Sequence, residues 1–442
     1  MVKKVVSNWT KFPEIEADIN DFLYEEEVSK TLQNNVNIIA RGNGRCYGDA
    51  SLGARIISTL KYDNILEFDK KNGLIHCQSG VLLSDLLSVI VPKGWFLPVT
   101  PGTKFITIGG AIASNVHGKN HHKDGAFSNF VSSITMLKPN SEIETFSKES
   151  NPELWDFTCG GMGLTGIILS AQIRLKKIES SYIKFRSIKA RNLDEIFKLF
   201  EENEAYTYSM AWIDCLQTGK NIGRSILMLG EHANQQSLKR SKDILNPKDK
   251  SLFKLPFNFP TWVLNSFSLS AFNFAYYHKQ RSKVVNRTVH YDGFFYPLDS
   301  ILEWNKMYGR KGFLQYQFVI PLEKSIEGLR EILERIGKSK FGSFLGVLKL
   351  MGKEDNSISF PIKGYTLALD FPIKNGLFEF LDELDEIVLK HGGRLYLSKD
   401  ARMKKETFWA SYHSAENLRK YLSSSDPKNK ISSLQSKRLK IH

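Results

Sequence analysis

The sequence predicts an α+β protein of two domains, and three observations carry that prediction. The chain has 442 residues, more than one hydrophobic core comfortably serves. Its first part interleaves short apolar runs, helix-spaced segments and glycine-dense loops. From about residue 180 glycines thin out, and alternating apolar and polar runs suited to an antiparallel sheet take over.

Composition narrows the classes further. With 42% hydrophobic and 24% charged residues, the chain folds around a core of its own without staples. Cys46, Cys77, Cys159 and Cys215 are scattered with no CxxC pair, which argues against a disulfide framework and a zinc site and fits a reducing compartment. The opening MVKKVVSNWTKFPEIEAD is basic but lacks an apolar h-region, so no secretory signal is expected. No apolar run reaches the roughly eighteen residues of a membrane span. The net charge of +14 implies acidic company, whether nucleic acid, an anionic membrane surface or a phosphorylated substrate. The absence of RNP, KH and finger patterns argues against nucleic acid.

In chain order, Val36 to Ala40 reads as a buried strand that runs into RGNGRCYGD, from Arg41 through Gly42, Asn43, Gly44, Arg45, Cys46, Tyr47 and Gly48 to Asp49. Such a turn exposes successive backbone N–H groups, a nest for phosphate oxygens, and the two arginines add charge. It is neither a Walker A loop nor a GxGxxG opening a long helix. Leu74–Gln78, Leu82–Val91 and Trp95–Val99 follow with a βαβ rhythm. The next stretch, PGTKFITIGGAIASNVHGKNHH from Pro101 to His122, combines Gly109 and Gly110 with Ala111, Ala113 and Ser114. Small residues at that density let a backbone press against a large flat ligand. Strands are expected at Ser132–Leu137, Ile143–Phe146 and Ile167–Leu175, with a third glycine-dense loop, Cys159 to Gly166, between them. Three such loops in one region point to a multi-part ligand such as a dinucleotide.

In the second part, Asp194–Glu202 is expected as a helix, and Ser209–Cys215 and Arg224–Leu229 as strands. Ser251–Tyr277 is unusually aromatic, with Lys250 and Lys254 before it and Lys279, Arg281 and Lys283 after it. It reads either as a core helix pair interrupted by Pro256 and Pro260 or as a surface that touches lipid. Phe313–Ile320 alternates, with Leu314, Tyr316 and Phe318 on one face and Gln315, Gln317 and Val319 on the other. Ser343–Leu350 and Tyr365–Phe371 repeat this habit and carry Lys349 and Asp370, with helices expected at Ile326–Ile336 and Leu377–Leu389. GGRLYLSKD, 392 to 400, resembles a strand that delivers Tyr396 and Lys399 to a site, and Lys404–Tyr412 and Ala415–Leu422 read as helices. His117 and His121 have the i, i+4 spacing of metal ligands on one helix face, but Gly118 and Lys119 intervene and a lysine beside a dication is unfavourable, so no metal is expected.

RGNGRCYGDA, PGTKFITIGGAIASNVHGKNHH, GGMGLTGII, FFYPLD, GFLQYQFVIP, SFLGVLKL, DFPIK and GGRLYLSKDAR together resemble the FAD-dependent oxidases of the vanillyl-alcohol oxidase type, and within them the branch that oxidises polyprenyl-phosphoryl ribose. The matching stretches span nearly the whole chain. The resemblance implies a two-domain PCMH-type FAD-binding fold: an FAD-binding domain at 1–178, a substrate domain built on an antiparallel sheet at 179–391, and a C-terminal segment at 392–442 that returns to the FAD domain.

It also implies roles. Arg41 to Ala50, Gly102 and Thr107, Ile108, Gly109 and Gly110 would hold the FAD pyrophosphate. Ser114, Asn115, Val116 and His117 would lie against the flavin, with Ile167 and Tyr396 completing its binding. The histidine at 117 is expected to pack against a dissociable, non-covalent FAD. Lys399 and His117 would be catalytic, and Gln315, Gln317, Lys349 and Tyr47 would line the substrate pocket. One departure stands out: where relatives carry a cysteine attacked by nitroaromatic inhibitors, this chain has Ala368. The implied reaction is oxidation of a secondary alcohol on a lipid-linked sugar phosphate, with an NAD(P)H-dependent short-chain reductase as partner for net epimerisation. A peripheral membrane location, on the cytoplasmic or the periplasmic side with the cytoplasmic face favoured, is expected from the same reading. The rival within the superfamily is an aldonolactone or other soluble-sugar oxidase.

Overall fold

Strands that alternate every second residue present one face to a core and the other to whatever lies opposite, and eight of them build the largest sheet here. The computed structural model describes residues 2–238, 244–247, 253–260 and 262–441. In spatial order the sheet runs Val284–His290, Tyr182–Ala190, Ser225–His232, Tyr208–Ile213, Gly346–Met351, Gly364–Pro372, Phe313–Pro321 and Arg394–Leu395. Every pairing is antiparallel. Tyr316, Phe318, Leu348, Leu367 and Leu369 point to one side and are buried with Ile196, Leu329 and Leu381 of the helices Leu193–Glu202, Ser325–Gly337 and Leu377–Lys390. Gln315 and Gln317, one residue out of phase, look to the opposite side.

The first half holds two sheets. Val2–Val6, Ile15–Asp21, Arg55–Ser58 and Ile38–Arg41 form a four-stranded one, in which Arg55–Ser58 lies parallel to both of its neighbours. Ile65–Asp69, Leu74–Gln78, Ile167–Arg174, Val131–Leu137 and Ile143–Phe146 form a five-stranded antiparallel one. The βαβ rhythm expected after Leu74 is not realised. Beyond the helix Leu83–Ile90, Gly94 takes the left-handed conformation (φ 80°) and turns the chain, so Trp95–Phe96 leaves the sheet and pairs antiparallel with Lys176–Lys177.

The C-terminal residues run back along the first sheet. The Ile38 N–H donates to the Lys430 carbonyl (2.7 Å) and the Ser432 N–H to the Ile38 carbonyl (2.9 Å). Arg438 closes the junction, donating to both Asp49 and Asp400 at 2.7 Å.

The aromatic stretch departs from the core-helix-pair expectation. Lys250, Ser251, Leu252 and Thr261 lie outside the described residues. The remainder holds one helix, Ser266–Lys279, capped by the Asn265 side chain. Leu269, Asn273 and Tyr277 are buried, whereas Phe267 is 83% exposed, Phe274 58%, and Trp262, just ahead, 73%. Among the described residues no helix is long and apolar enough to cross a membrane.

Candidate active site

A cavity of about 760 Å³ lies where the glycine loops of the first half meet the Gln315/Gln317 face of the large sheet. The loop after Ile38–Arg41 supplies one wall. Gly42 sits where an added Cβ would come within 2.2 Å of Thr107 Oγ1, so only glycine lets the two loops approach. Gly44 adopts φ 59°, and Arg41 folds over it to donate to Asn8 Oδ1 and the Ser7 carbonyl. Asn43 donates to the Phe105 carbonyl at 2.8 Å, and the Arg45 guanidinium lies 4.0 Å from the Trp9 ring centre. On the opposing loop Thr107 caps the short helix Ile108–Ala113 by accepting the Gly110 N–H, which brings Gly109 and Gly110 to the cavity.

Of the residues singled out by sequence, Arg41 to Tyr47, Gly102, Thr107, Gly109, Gly110, Ser114, Val116, His117, Gln315, Gln317, Lys349, Tyr396 and Lys399 all line this one cavity. Gly48, Asp49, Ile108, Asn115 and Ile167 stand one layer behind it. An added Cβ at Gly48 would meet the Asp400 carbonyl oxygen at 1.6 Å, and Asp49 is paired with Arg438. Ile108 and Ile167 are core side chains, and Asn115 ties Ser128 to Ser359.

The polar groups are arranged around His117. Its Nε2 accepts the Gln317 amide N–H at 3.1 Å, and the same amide donates to Thr366 Oγ1 at 3.2 Å. The ring packs beside Tyr396 and Phe360, with centroids 5.2 and 5.6 Å away, and the Tyr396 hydroxyl donates to the Ser114 carbonyl. Burial, then the charges of Lys349, His121 and Lys399, hold the His117 pKa well below the usual imidazole range, so the ring is neutral. With Nε2 accepting, the proton sits on Nδ1, a buried donor with no partner among the described residues.

Lys399 does not arrive on a strand, as the sequence suggests. Only Arg394–Leu395 pairs with Phe313–Pro321; the chain then tightens into a 3-10 turn, Leu397–Lys399, whose last residue reaches the cavity. There its ammonium lies 3.5 Å from the Tyr47 ring centre, and the Tyr47 N–H donates to the Ser398 carbonyl. Burial pushes its pKa down to about 7, opposed by Asp370 and reinforced by Lys349. Lys349 follows to about 8 through burial alone, and Lys119 to about 7 through burial and the nearby Lys349. Facing them are two carboxyls that burial pushes up to about 6. Asp370 is held by Gln315 Nε2 at 2.5 Å and Tyr308 at 3.2 Å, and Asp299 accepts the Lys104 N–H.

Sequence reading did not single out Lys119 or Asp299. Both lie inside matched stretches, HGKNHH and FFYPLD, so the signal was present. Ala368 lines the cavity on the Gly364–Pro372 strand. His117 and His121 do not share a helix face: His117 bridges Ala126 in extended backbone, and the short helix begins at His121. Among the described residues no group of three His, Cys, Asp or Glu side chains is placed to hold a metal ion.

The cavity fits a flat, acceptor-rich cofactor. Its wall holds glycines at points of close approach, and two residues that line it, Ser79 and His117, each keep a buried polar atom, Oγ and Nδ1, without a partner among the described residues. A sequence profile described as "FAD binding domain" matches residues 24–147. Decaprenylphosphoryl-beta-D-ribose oxidase of Mycolicibacterium smegmatis is 39% identical over 415 residues, 91% of this chain and 89% of that protein. D-lactate dehydrogenase of Anaerostipes hadrus is 35% identical over 142 residues, 31% of this chain and 30% of that protein. Delta(24)-sterol reductase of Homo sapiens is 25% identical over 137 residues, 31% and 26% of the two chains.

Proposed function

We propose that this chain, which belongs to the family of PCMH-type FAD-dependent oxidases that includes decaprenylphosphoryl-β-D-ribose oxidase, oxidises the 2'-hydroxyl of a polyprenyl-phosphoryl pentose to the 2-keto sugar. The chain is an FAD-dependent oxidoreductase; the lipid-linked sugar is the finer reading. The observation that carries it is the set of three lysines, Lys119, Lys349 and Lys399, gathered in a cavity whose facing carboxyls, among the described residues, are Asp299 and Asp370. An anionic substrate relieves the mutual repulsion of those ammonium groups, whereas a neutral sugar lactone does not.

FAD, when bound, would supply a two-electron acceptor for the hydride on the carbon that bears the reacting hydroxyl. The nest from Arg41 to Tyr47 and the backbone at Thr107 to Gly110 would bind its pyrophosphate, and Ser114, Val116, His117 and Tyr396 would orient its ring system. Lys399, half neutral near pH 7, takes the hydroxyl proton on Nζ. As an ammonium it would then place a positive charge beside the bound cofactor. His117, neutral and locked by Gln317, positions substrate and flavin and moves no proton. Gln315, Gln317, Lys349 and Tyr47 hold the sugar phosphate. FAD is held without a covalent bond, so denaturation releases free flavin.

Two partners follow. The 2-keto product calls for an NAD(P)H-dependent reductase to complete an epimerisation. A lipid-linked substrate also brings the enzyme to a membrane surface, and Trp262, Phe267 and Phe274 with Lys279 and Arg281 suit an anionic interface. Anaerobic mixing of the yellow holoenzyme with a panel of sugars tests the reading. Bleaching by polyprenyl-phosphoryl pentoses but not by free aldonolactones is expected. Bleaching by a lactone and not by any lipid-linked pentose would assign the chain to soluble-sugar oxidation instead.

A further inference from the structure

The cavity extends well past the catalytic end, and its floor changes character strand by strand. On Phe313–Pro321, Gly364–Pro372 and Gly346–Met351 the residues facing it are polar or charged: Gln315 and Gln317, Asp370, and Lys349. On the four strands beyond, the sheet face continues as Met210 and Trp212, then Met228, Phe185 and finally Val289 with Arg287, whose guanidinium lies 4.6 Å from the Phe185 ring centre at the far end. The crossover falls at Gly346–Met351, where Val347 and Lys349 sit two residues apart. Phe272 and Tyr276 of the Ser266–Lys279 helix close the apolar part from another side, with Tyr276 and Trp212 ring centres 4.7 Å apart. Antiparallel strands stand about 4.8 Å apart, so the four steps from Gly346–Met351 to Val284–His290 give this lobe a length of about 19 Å.

Phe185 and Trp212 of this face are buried, the first beside Phe294 and the second beside Tyr276, and both still line the cavity. The face is a lined apolar trough joined end to end with a cationic pocket, and the join is made by Lys119 and Lys349. The Lys119 Nζ donates to the Phe295 carbonyl at 3.1 Å, which fixes the ammonium at that join. We infer that the Met210–Val289 face of the sheet is a binding site for the isoprenoid chain of the substrate, with its phosphate between Lys119 and Lys349 and its sugar at Lys399. The inference rests on the lipid-linked reading of the function and adds where the lipid goes. Polarity runs along the cavity in the same order as along such an amphiphile, so the lipid sets the direction in which the sugar enters. The lobe ends at the sheet's edge strand beside exposed Arg287, which gives a longer chain a way out.

The test is titration calorimetry of the holoenzyme with prenyl phosphates that carry no sugar, in a series of increasing chain length. Each added isoprene unit should tighten Kd by about tenfold until the trough is filled, after which affinity levels off. Met228→Trp and Phe185→Asp should each flatten that dependence, the first by filling the trough and the second by charging it, while flavin absorbance reports that the fold is kept. The ratio of kcat/KM for long-chain over single-isoprene pentose substrates should collapse towards one in both variants. Equal affinity for every chain length in the unmodified enzyme overturns the inference without a variant. If instead affinity rises and levels off but no lipid-linked pentose is oxidised, the lobe stands and the proposed reaction falls.

Discussion

Lys349 and Lys399 show what this cavity costs the folded chain. Both ammonium groups leave water for a space walled by protein, and their pKa values fall to about 8 and about 7. Between those values and the usual 10.5 the native state binds fewer protons than the unfolded one, so these groups make stability rise with pH across that window. The penalty is fully present below pH 7. Lys349→Met should therefore raise the melting temperature of flavin-free protein at pH 6 to 7, and the gain should shrink towards pH 10.5. A gain independent of pH would show that Lys349 is solvated. Lys399→Met, in contrast, should keep bound FAD and lower the rate of anaerobic flavin reduction by about 100-fold or more. A reduction rate within a few-fold of the unmodified enzyme would remove Lys399 from catalysis.

Residues were unevenly legible. Gln315 and Gln317 could be placed on one face because strand geometry has a period of two and needs no tertiary knowledge. Lys349 sits on a strand by the same reasoning, but nothing local distinguishes a solvated lysine from one lining a cavity. Lys119 entered the sequence reading only as a residue that argues against a metal between His117 and His121, since nothing local marks it as facing a cavity.

Among elements, the glycine loops carry the tightest constraints. Gly42→Ala drives a methyl group into Thr107, and overpacking of that kind costs about 1–3 kcal/mol. FAD affinity should fall, as read by the flavin retained after dialysis, and unchanged retention would mean that the two loops need not touch. Arg438 in the helix Leu434–Leu439 joins two elements, since Asp49 belongs to the first glycine loop and Asp400 follows Lys399. Arg438→Met strands two buried carboxylates, at about 3 kcal/mol. Both stability and flavin reduction should suffer, because Tyr47 and Lys399 lose the clamp behind them. GGRLYLSKD resembles a strand in the sequence. The 3-10 turn that replaces it arises from the C-terminal contacts of Gln435 and Arg438, which lie some 35 to 40 residues away and leave no local trace.

At the scale of the molecule, three layers of evidence converge on one cavity: glycine loops from the first half, a sheet face from the second and a lysine from the C-terminal segment. The α+β class was readable from periodicity alone, whereas the meeting of these parts was not, since no pattern in a single chain fixes how two sheets face each other. The aromatic stretch shows the same limit. Its composition suited a core as well as a surface; Leu269 and Tyr277 are buried and Phe267 and Phe274 are exposed, so the stretch is not all core. The enzyme should sediment with vesicles containing anionic lipid, less so as salt is raised, and Phe267→Ser with Phe274→Ser should abolish it. Equal retention of that variant would place the membrane contact elsewhere.

The most direct test of the account is a rapid-mixing measurement of flavin bleaching with polyprenyl-phosphoryl ribose carrying deuterium at C2'. If the cavity presents that carbon to the flavin, bleaching slows several-fold relative to the unlabelled substrate. Bleaching at an unchanged rate, or none with either substrate, would contradict it.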